Sequence, residues 1–66
     1  MELTVNGSGR TVPAGTTLPE LLGTLGLRPG QVVVEHNGTA LLRSEAAGVV
    51  LADGDVLELV VAVAGG

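Results

Sequence analysis

Residues 17–27 of the chain read TLPELLGTLGL, and the first four residues of this stretch predict the start of a helix. Thr17 and Glu20 have the spacing of a capping box. In that motif the threonine hydroxyl accepts a hydrogen bond from the third helical amide, while the glutamate carboxylate accepts one from the amide of the cap residue. Pro19 falls in the first turn, where its missing N–H removes no helical hydrogen bond. We therefore expect a helix that begins at Thr17.

The same stretch contains an apolar face and a stop signal. Leucines recur at the i, i+3, i+4 and i+7 spacing that places side chains on one side of a helix, at positions 18, 21, 22 and 25. Gly26 is suited to the left-handed residue that ends many helices, and Leu27 beyond it is placed to contact Leu22. These signals predict a helix over about residues 17–25 whose leucines pack against a sheet.

The residues before the helix predict a β-hairpin. Apolar and polar side chains alternate over residues 2–5, as they do in a strand with one buried face. The next four residues, Asn6-Gly7-Ser8-Gly9, include types that adopt positive φ easily, so we expect the turn there. A return strand is predicted over residues 10–13 and ends at Pro13, which has no N–H to donate.

The residues after the helix predict further strands. Asn37-Gly38 and Asp53-Gly54-Asp55 have the composition of turns, and residues 43–49 fit either a loop or a short helical turn across the end of the sheet. The strands are predicted over residues 32–35, 39–42 and 56–63. The resulting order, β-β-α-β-β-β, is that of a single α+β domain over residues 1–66, with one helix on one face of a mixed sheet.

The last predicted strand has two different faces. Alternation directs one set of its side chains towards the helix, namely Leu57, Leu59, Val61 and Val63. On the opposite face it leaves apolar side chains that the predicted core does not use. Exposed apolar area of this kind is typical of an interaction surface. We therefore expect a docking surface made by Val60, Ala62 and the neighbouring Leu42.

The composition argues against an active site within the chain. The 66 residues include one histidine and no cysteine, lysine or aromatic residue, so a disulfide, a Cys/His zinc site and a nucleophile–base pair all lack essential parts. His36 is expected on the surface at the end of a strand. Asp53-Gly54-Asp55 lacks the alternating ligands of a calcium loop and is expected to be a turn. We expect no catalytic residue, no metal site and no bound cofactor.

Charge and hydropathy limit the partners. Seven acidic residues against three arginines give a formal charge of −4, which is unsuited to a phosphate backbone, and without aromatic side chains the chain cannot stack on bases. The longest apolar runs are far shorter than the ~20 residues that span a bilayer, and the N-terminus has no signal-peptide pattern. We expect a cytoplasmic protein that binds neither nucleic acid nor membrane.

The chain ends Val63-Ala64-Gly65-Gly66, and a flexible tail from about residue 64 admits two interpretations. It is either inert or functional. Two glycines can enter a narrow channel in another enzyme and adopt the backbone angles found there. The group then presented is the α-carboxylate of Gly66, with Gly65 and Ala64 giving it access. Transfer of AMP from ATP would convert that carboxylate into a mixed anhydride, which a sulfur nucleophile can attack.

Together these features resemble the ubiquitin-like β-grasp sulfur carriers of the ThiS family. The similarity covers the whole length of the chain. The matching segments are Val5-Asn6-Gly7, Thr17-Leu18, Leu21-Leu22, Leu25-Gly26-Leu27, Val32-Val33-Val34-Glu35, Asn37-Gly38, Arg43, Asp53-Gly54-Asp55-Val56-Leu57-Glu58 and Gly65-Gly66. The resemblance implies a β-grasp fold in which a mixed sheet packs on one helix.

The resemblance also implies a carrier protein rather than an enzyme, monomeric when it is free. A ThiF-like adenylyltransferase, using ATP and Mg²⁺, would adenylate Gly66. Sulfur from a cysteine desulfurase would then convert the carboxylate into a thiocarboxylate. Thiazole synthase (ThiG) would consume that sulfur in forming the thiazole ring of thiamin.

Three other functions stay open at the level of sequence. The small subunit of molybdopterin synthase shares the fold and the Gly-Gly end, although it is usually longer and has aromatic positions that this chain lacks. A ubiquitin-like protein modifier would join Gly66 to lysines of its targets. A β-grasp interaction module would bind its partner with an inert tail.

Overall fold

The computed structural model of the protein describes residues 1–61. Its strands are β1 (Glu2–Val5), β2 (Ser8–Thr11), β3 (Val32–His36), β4 (Thr39–Ala40) and β5 (Val56–Val61), its helices are α1 (Leu18–Thr24) and α2 (Arg43–Ala46), and a 3-10 turn spans Pro29–Gln31. The strands lie in one sheet in the order β2-β1-β5-β3-β4. β5 is central, parallel to β1 and antiparallel to β3. The predicted mixed sheet with one principal helix is confirmed.

Helix α1 begins and ends as its sequence predicts. The Thr17 hydroxyl accepts from the Glu20 amide at 3.2 Å, and the Glu20 carboxylate accepts from the Thr17 amide at 3.0 Å. At the other end Gly26 has a φ of +74°. The Leu27 amide donates to the Leu22 carbonyl at 2.8 Å, and the Gly26 amide donates to the Gly23 carbonyl at 3.1 Å. These two bonds form a Schellman motif.

The core is entirely aliphatic. Three leucines of α1 pack on one face of the sheet, against side chains that alternate along β1, β3 and β5. The buried residues are Leu3, Leu18, Leu21, Leu22, Val34, Ala46, Leu51, Leu57 and Leu59. Strand alternation and the helical leucine spacing therefore place their apolar faces in one common layer.

The hairpin is tighter than the sequence analysis predicts. The turn consists of Asn6 and Gly7 alone, with φ values of +50° and +81°, and β2 already begins at Ser8. A two-residue turn with both φ positive has the twist that joins antiparallel strands best. Pairing continues past β2, because the Val12 amide donates to the Met1 carbonyl at 3.0 Å. The predicted return strand is therefore shifted towards the N-terminus, and it stops before Pro13 as expected.

The segment between β3 and β5 was the part that the sequence left open. The predicted strand over residues 39–42 is reduced to β4, and residues 43–46 form the short helix α2. The chain then returns beside the start of α1, where the Leu18 amide donates to the Val49 carbonyl and the Leu51 amide to the Thr16 carbonyl, both at 3.0 Å. These bonds hold Leu51 in the core.

Candidate functional site

The predicted reactive end and its approach, Ala64, Gly65 and Gly66, lie outside the described residues, as do Ala62 and Val63. What the structure describes is the strand from which they continue. β5 runs through the middle of the sheet and ends at Val61. Its neighbour β3 pairs with it over five consecutive positions, from His36 opposite Leu57 to Val32 opposite Val61. The root of the tail is therefore an ordered central strand.

Asn6 secures the other side of β5. The β1 strand pairs with β5 only as far as Val5 opposite Leu57, because the chain turns away at Asn6. The Asn6 side chain then takes over the pairing. Its Oδ1 accepts from the Leu59 amide at 2.7 Å, and its Nδ2 donates to the Leu59 carbonyl at 3.2 Å. One side chain thus extends the ladder towards the end of β5.

His36, Asn37 and Asp55 form a polar cluster at the opposite end of β5. Nε2 of His36 lies 2.8 Å from Oδ2 of Asp55, and Nδ2 of Asn37 donates to Oδ1 of Asp55 at 3.0 Å. The Ala52 amide donates to Oδ2 at 2.9 Å, which closes the turn. His36 was expected on the surface; it does lie at a strand end, but it is half-buried because it bonds to buried Asp55.

Burial alone would raise the pKa of Asp55. The bond from the Ala52 amide, together with the side chains of His36 and Asn37, outweighs it and holds the pKa below the ordinary value. The carboxylate is therefore kept ionised as a structural group. The cluster pins β3, β5 and the turn between residues 52 and 55 to one another.

The Asp53-Gly54-Asp55 segment is a turn, as the sequence predicts. Gly54 has a φ of +86°, and the Asp55 amide donates to the Ala52 carbonyl at 3.0 Å. Asp53 contacts the backbone of β1, where its Oδ1 accepts from the Glu2 amide at 2.6 Å. Both carboxylates are thus engaged by the fold. Among residues 1–61 no group of three metal-ligating side chains comes together.

An apolar patch covers part of the sheet face opposite α1. Val60 is 61% exposed, and Val33, its paired residue on β3, is 54% exposed. Leu42, which follows the edge strand β4, is 69% exposed. It lines a concavity at this edge of the sheet together with Val33 and with core residues of the helix side, among them Leu22 and Ala46. We refer to Val33, Leu42 and Val60 as the outer patch. Leu42 and Val60 were predicted from the sequence, whereas Val33 was not, although strict alternation through Val32-Val33-Val34 would have exposed it.

Acidic side chains border the outer patch. Glu35 on β3 is paired with Glu58 on β5, and both are exposed. Like charges at directly opposed positions of a sheet repel each other. A partner that covers the outer patch and places basic groups beside Glu35 and Glu58 would relieve that repulsion.

A second concavity lies on the helix side of the same strand. Val61 points towards this side, as predicted, but it is 48% exposed, because α1 ends at Thr24 and does not cover the last residues of β5. The space left open, about 350 Å³, is lined by Val5, Asn6, Ser8, Gly9, Arg10, Leu25, Leu27, Leu59 and Val61. We call it the tail-root cleft.

A mixed five-stranded sheet packed on one helix, with a central strand leading into the tail, defines a small ubiquitin-like β-grasp protein. A ubiquitin-like protein from the hyperthermophilic archaeon Caldiarchaeum subterraneum has this fold at a TM-score of 0.50 and 23% identity, covering 98% of this chain and 100% of that one. The family model of the ThiS family matches residues 2–66. The chain belongs to the ThiS family.

Solved structures agree with this assignment. The crystal structure of the thiamine biosynthesis protein ThiS from Geobacter metallireducens superposes at a TM-score of 0.82, with 36% identity over the full length of both chains. The solution structure of a thiamine biosynthesis protein from the same organism gives 0.78 at 36% identity, covering all of this chain and 88% of that one. The predicted ThiS-type β-grasp fold is confirmed.

Curated relatives add a link to a larger enzyme. Over its 66 residues the chain is 41% identical to a thiazole synthase from Paramagnetospirillum magneticum and 39% identical to one from Magnetococcus marinus. The chain spans 20% of the length of each of these relatives.

Within residues 1–61 no helix is long and apolar enough to cross a membrane.

Proposed function

We propose that the protein is the sulfur carrier for thiazole formation in thiamin biosynthesis and that the α-carboxylate of Gly66 carries the sulfur. The observation that carries this proposal is the match of the ThiS family to residues 2–66, which includes Gly65-Gly66. The protein acts as a cosubstrate in the cytoplasm, as a monomer when it is free, and its partners supply the catalysis.

The chemistry takes place on one carboxyl group. In the active site of a ThiF-like adenylyltransferase, with ATP and Mg²⁺, a carboxylate oxygen of Gly66 attacks the α-phosphorus and pyrophosphate leaves. The terminal sulfur of a persulfide, formed from cysteine by a desulfurase, then attacks the acyl carbon and AMP leaves. A thiol attacks the outer sulfur of the resulting acyl disulfide, a new disulfide forms, and the acyl-bound sulfur is released. The product is a thiocarboxylate. Gly65 and Ala64 give the carboxylate the slender approach that an enclosed active site requires.

The consumer of the thiocarboxylate is thiazole synthase (ThiG). Two relatives that bear that name contain a segment similar to the whole of this chain. Joining two proteins in one chain raises their effective concentration for each other and is useful where they act together. That arrangement supports the carrier and thiazole synthase as binding partners.

The outer patch is the docking surface for the adenylyltransferase. Val33, Leu42 and Val60 present apolar area beside the last described residues of β5, and Ala62 was predicted to continue it. The paired carboxylates of Glu35 and Glu58 border this area. We therefore expect an apolar surface on the enzyme flanked by arginine or lysine side chains.

Intact-mass measurement tests the proposal. After incubation with the adenylyltransferase, ATP, Mg²⁺ and a sulfur source, the chain should gain the mass difference of one sulfur for one oxygen. Deletion of Gly66, or extension beyond it, should abolish the gain and leave the fold unchanged. Gly23→Ala is the matched control, because a Cβ at this helical glycine meets no atom within 4 Å. An unchanged wild-type mass would contradict the proposal.

The same assay separates the alternatives. A thiocarboxylate that thiazole synthase cannot use would assign the protein to another sulfur pathway, such as that of molybdopterin. Conjugates of higher mass that depend on Gly66 would identify a protein modifier. Partner binding that survives removal of Gly65-Gly66 undiminished, without any change of mass, would identify an interaction module.

A further inference from the structure

The tail-root cleft is separate from the outer patch, and it opens beside the core, to which it is joined only through Leu59 among the buried residues. One wall is Leu59 and Val61 of β5, and a second is Leu25 and Leu27, which follow the last turn of α1. The hairpin β1–β2 forms the third wall. Consecutive residues of a strand point to opposite faces, so Val61 opens into this cleft while Val60 belongs to the outer patch. The two surfaces therefore lie on opposite sides of the root of the tail.

Among the described residues that line the cleft, Arg10 alone carries a positive charge. It is paired with Leu3 across the hairpin, and residues directly opposite each other in a sheet point to the same side. Arg10 is therefore on the helix side, at the edge strand. The one ion pair found within residues 1–61 is that of His36 with Asp55. In a chain of net charge −4, Arg10 is thus a half-buried cation without a carboxylate partner in the described part of the fold.

The length of the tail determines what covers this cleft during the reaction. Five residues, 62–66, follow Val61, and an extended chain advances about 3.4 Å per residue, or roughly 17 Å in all. An enzyme that holds the Gly66 carboxyl group in an enclosed site must bring the mouth of that site within this distance of Val61. The mouth then lies against the surfaces around Val61, of which the cleft is one.

We infer that the tail-root cleft is a docking site for thiazole synthase, and that it receives an aliphatic side chain with a neighbouring carboxylate from the mouth of that enzyme's active site. The aliphatic group fills the space between Leu27 and Val61, and the carboxylate pairs with Arg10. This inference rests on the proposed function. It gives the synthase a recognition surface separate from the one that we assign to the adenylyltransferase.

Calorimetric titration of the full chain into its thiazole synthase tests the inference. Arg10→Glu should weaken binding by about tenfold or more, because a like charge replaces an attraction at the interface. Arg28→Glu is the matched control, since Arg28 is exposed before the 3-10 turn and does not line the cleft; its effect should stay within about twofold. Thermal melting of both variants checks that the fold is intact.

Charge exchange identifies the partner residue. Acidic residues at the mouth of the synthase are changed to arginine one at a time, and one of these changes should restore the binding of Arg10→Glu while weakening that of the wild type. Equal effects of Arg10→Glu and Arg28→Glu would overturn the inference. So would tighter binding by Arg10→Glu, which would mean that Arg10 holds the chain's own tail. Either result, alongside normal thiocarboxylate formation in the mass assay, would leave the proposed function standing.

Discussion

The side-chain amide of Asn6 pairs with both backbone groups of Leu59, at 2.7 Å and 3.2 Å. It does so from a left-handed backbone conformation, with a φ of +50°. The residue that turns the chain out of β1 therefore also continues the hydrogen bonding of β1 to the central strand. Asparagine is suited to both tasks, because it tolerates positive φ and carries a donor and an acceptor that match a peptide group.

Replacement of Asn6 by alanine should destabilise the protein by about 1–3 kcal/mol, because the part-buried amide and carbonyl of Leu59 lose their partners. Chemical denaturation measures this loss. The Leu59 amide should also exchange its hydrogen faster than the amides that bond to β3. Ser8→Ala, two residues further along the same hairpin at an exposed position, is the control. Unchanged protection of Leu59 would contradict this account of the Asn6 side chain.

The capping box of α1 should be measurable through Thr17. Thr17→Ala removes the hydroxyl that accepts from the Glu20 amide, and we expect a loss of about 1 kcal/mol in the free energy of unfolding. Thr17→Ser keeps that hydroxyl and serves as the matched control. The variant with alanine should also raise the pKa of Glu20, which the bonds from the Thr17 backbone and hydroxyl now lower. If Thr17→Ala and Thr17→Ser have the same free energy of unfolding, the capping box does not contribute to the stability of the protein.

Acid should destabilise the protein through Asp55. Its pKa is lower in the folded chain than its usual 3.8, so its contribution is complete above the pKa of the unfolded chain. That contribution is lost as the pH falls through the lower pKa of the folded state. The free energy of unfolding should therefore decline from about pH 5 downwards.

Two variants isolate this contribution. Asp55→Asn should flatten the acid-dependent decline, and His36→Gln should leave a smaller decline that ends at higher pH, because one of the groups that lowers the folded-state pKa of Asp55 is gone. Titration of the Asp55 carboxyl by NMR provides the direct reading. A pKa at or above the usual value would show that burial outweighs the hydrogen bonds.

Docking of the adenylyltransferase should depend on Val60. Val60→Asp places a charge in the outer patch and should raise the KM for the carrier in ATP–pyrophosphate exchange by about tenfold or more. Val56→Asp is the matched control, since Val56 is 43% exposed on the same face at the other end of β5. Equal KM values for the two variants would remove the outer patch from the interface.

Removal of the Glu58 charge should stabilise the free chain but weaken its docking to the adenylyltransferase. Glu58→Gln removes one of two like charges at paired positions, and the free chain should become more stable by a few tenths of a kcal/mol. The same change removes a charge that we assign to a basic enzyme surface, so KM for the carrier should rise. A rise that disappears at high salt would confirm its electrostatic origin. A KM that stays at the wild-type value would exclude Glu58 from the interface.

Local sequence signals predicted those elements whose causes are local. The capping box, the leucine spacing and Gly26 lie within one stretch of eleven residues, and both ends of α1 follow from them. The predicted hairpin was correct in kind but shifted in its turn, because Asn6-Gly7 is sufficient for reversal and the two residues after it were free to join β2.

The remaining features depend on contacts between distant segments. His36 and Asp55 are nineteen residues apart, so nothing near His36 indicates that its ring is half-buried against a carboxylate. Val33 becomes part of the outer patch through its register with Val60. The tail-root cleft exists because α1 does not reach far enough along the sheet to cover the last residues of β5. How far each element reaches becomes apparent only when the two are packed together.

The central position of β5 has a mechanical consequence. A partner that grips the tail and withdraws pulls along the axis of this strand. The bonds to β3 and β1 run across that axis, and the Asn6 contact extends them towards the pulled end. The force is therefore shared among many hydrogen bonds in shear, whereas strands pulled apart sideways release them one after another. The tail thus continues from the part of the molecule that best resists being drawn out, and the proposed function requires a protein that can be gripped and released repeatedly without unfolding.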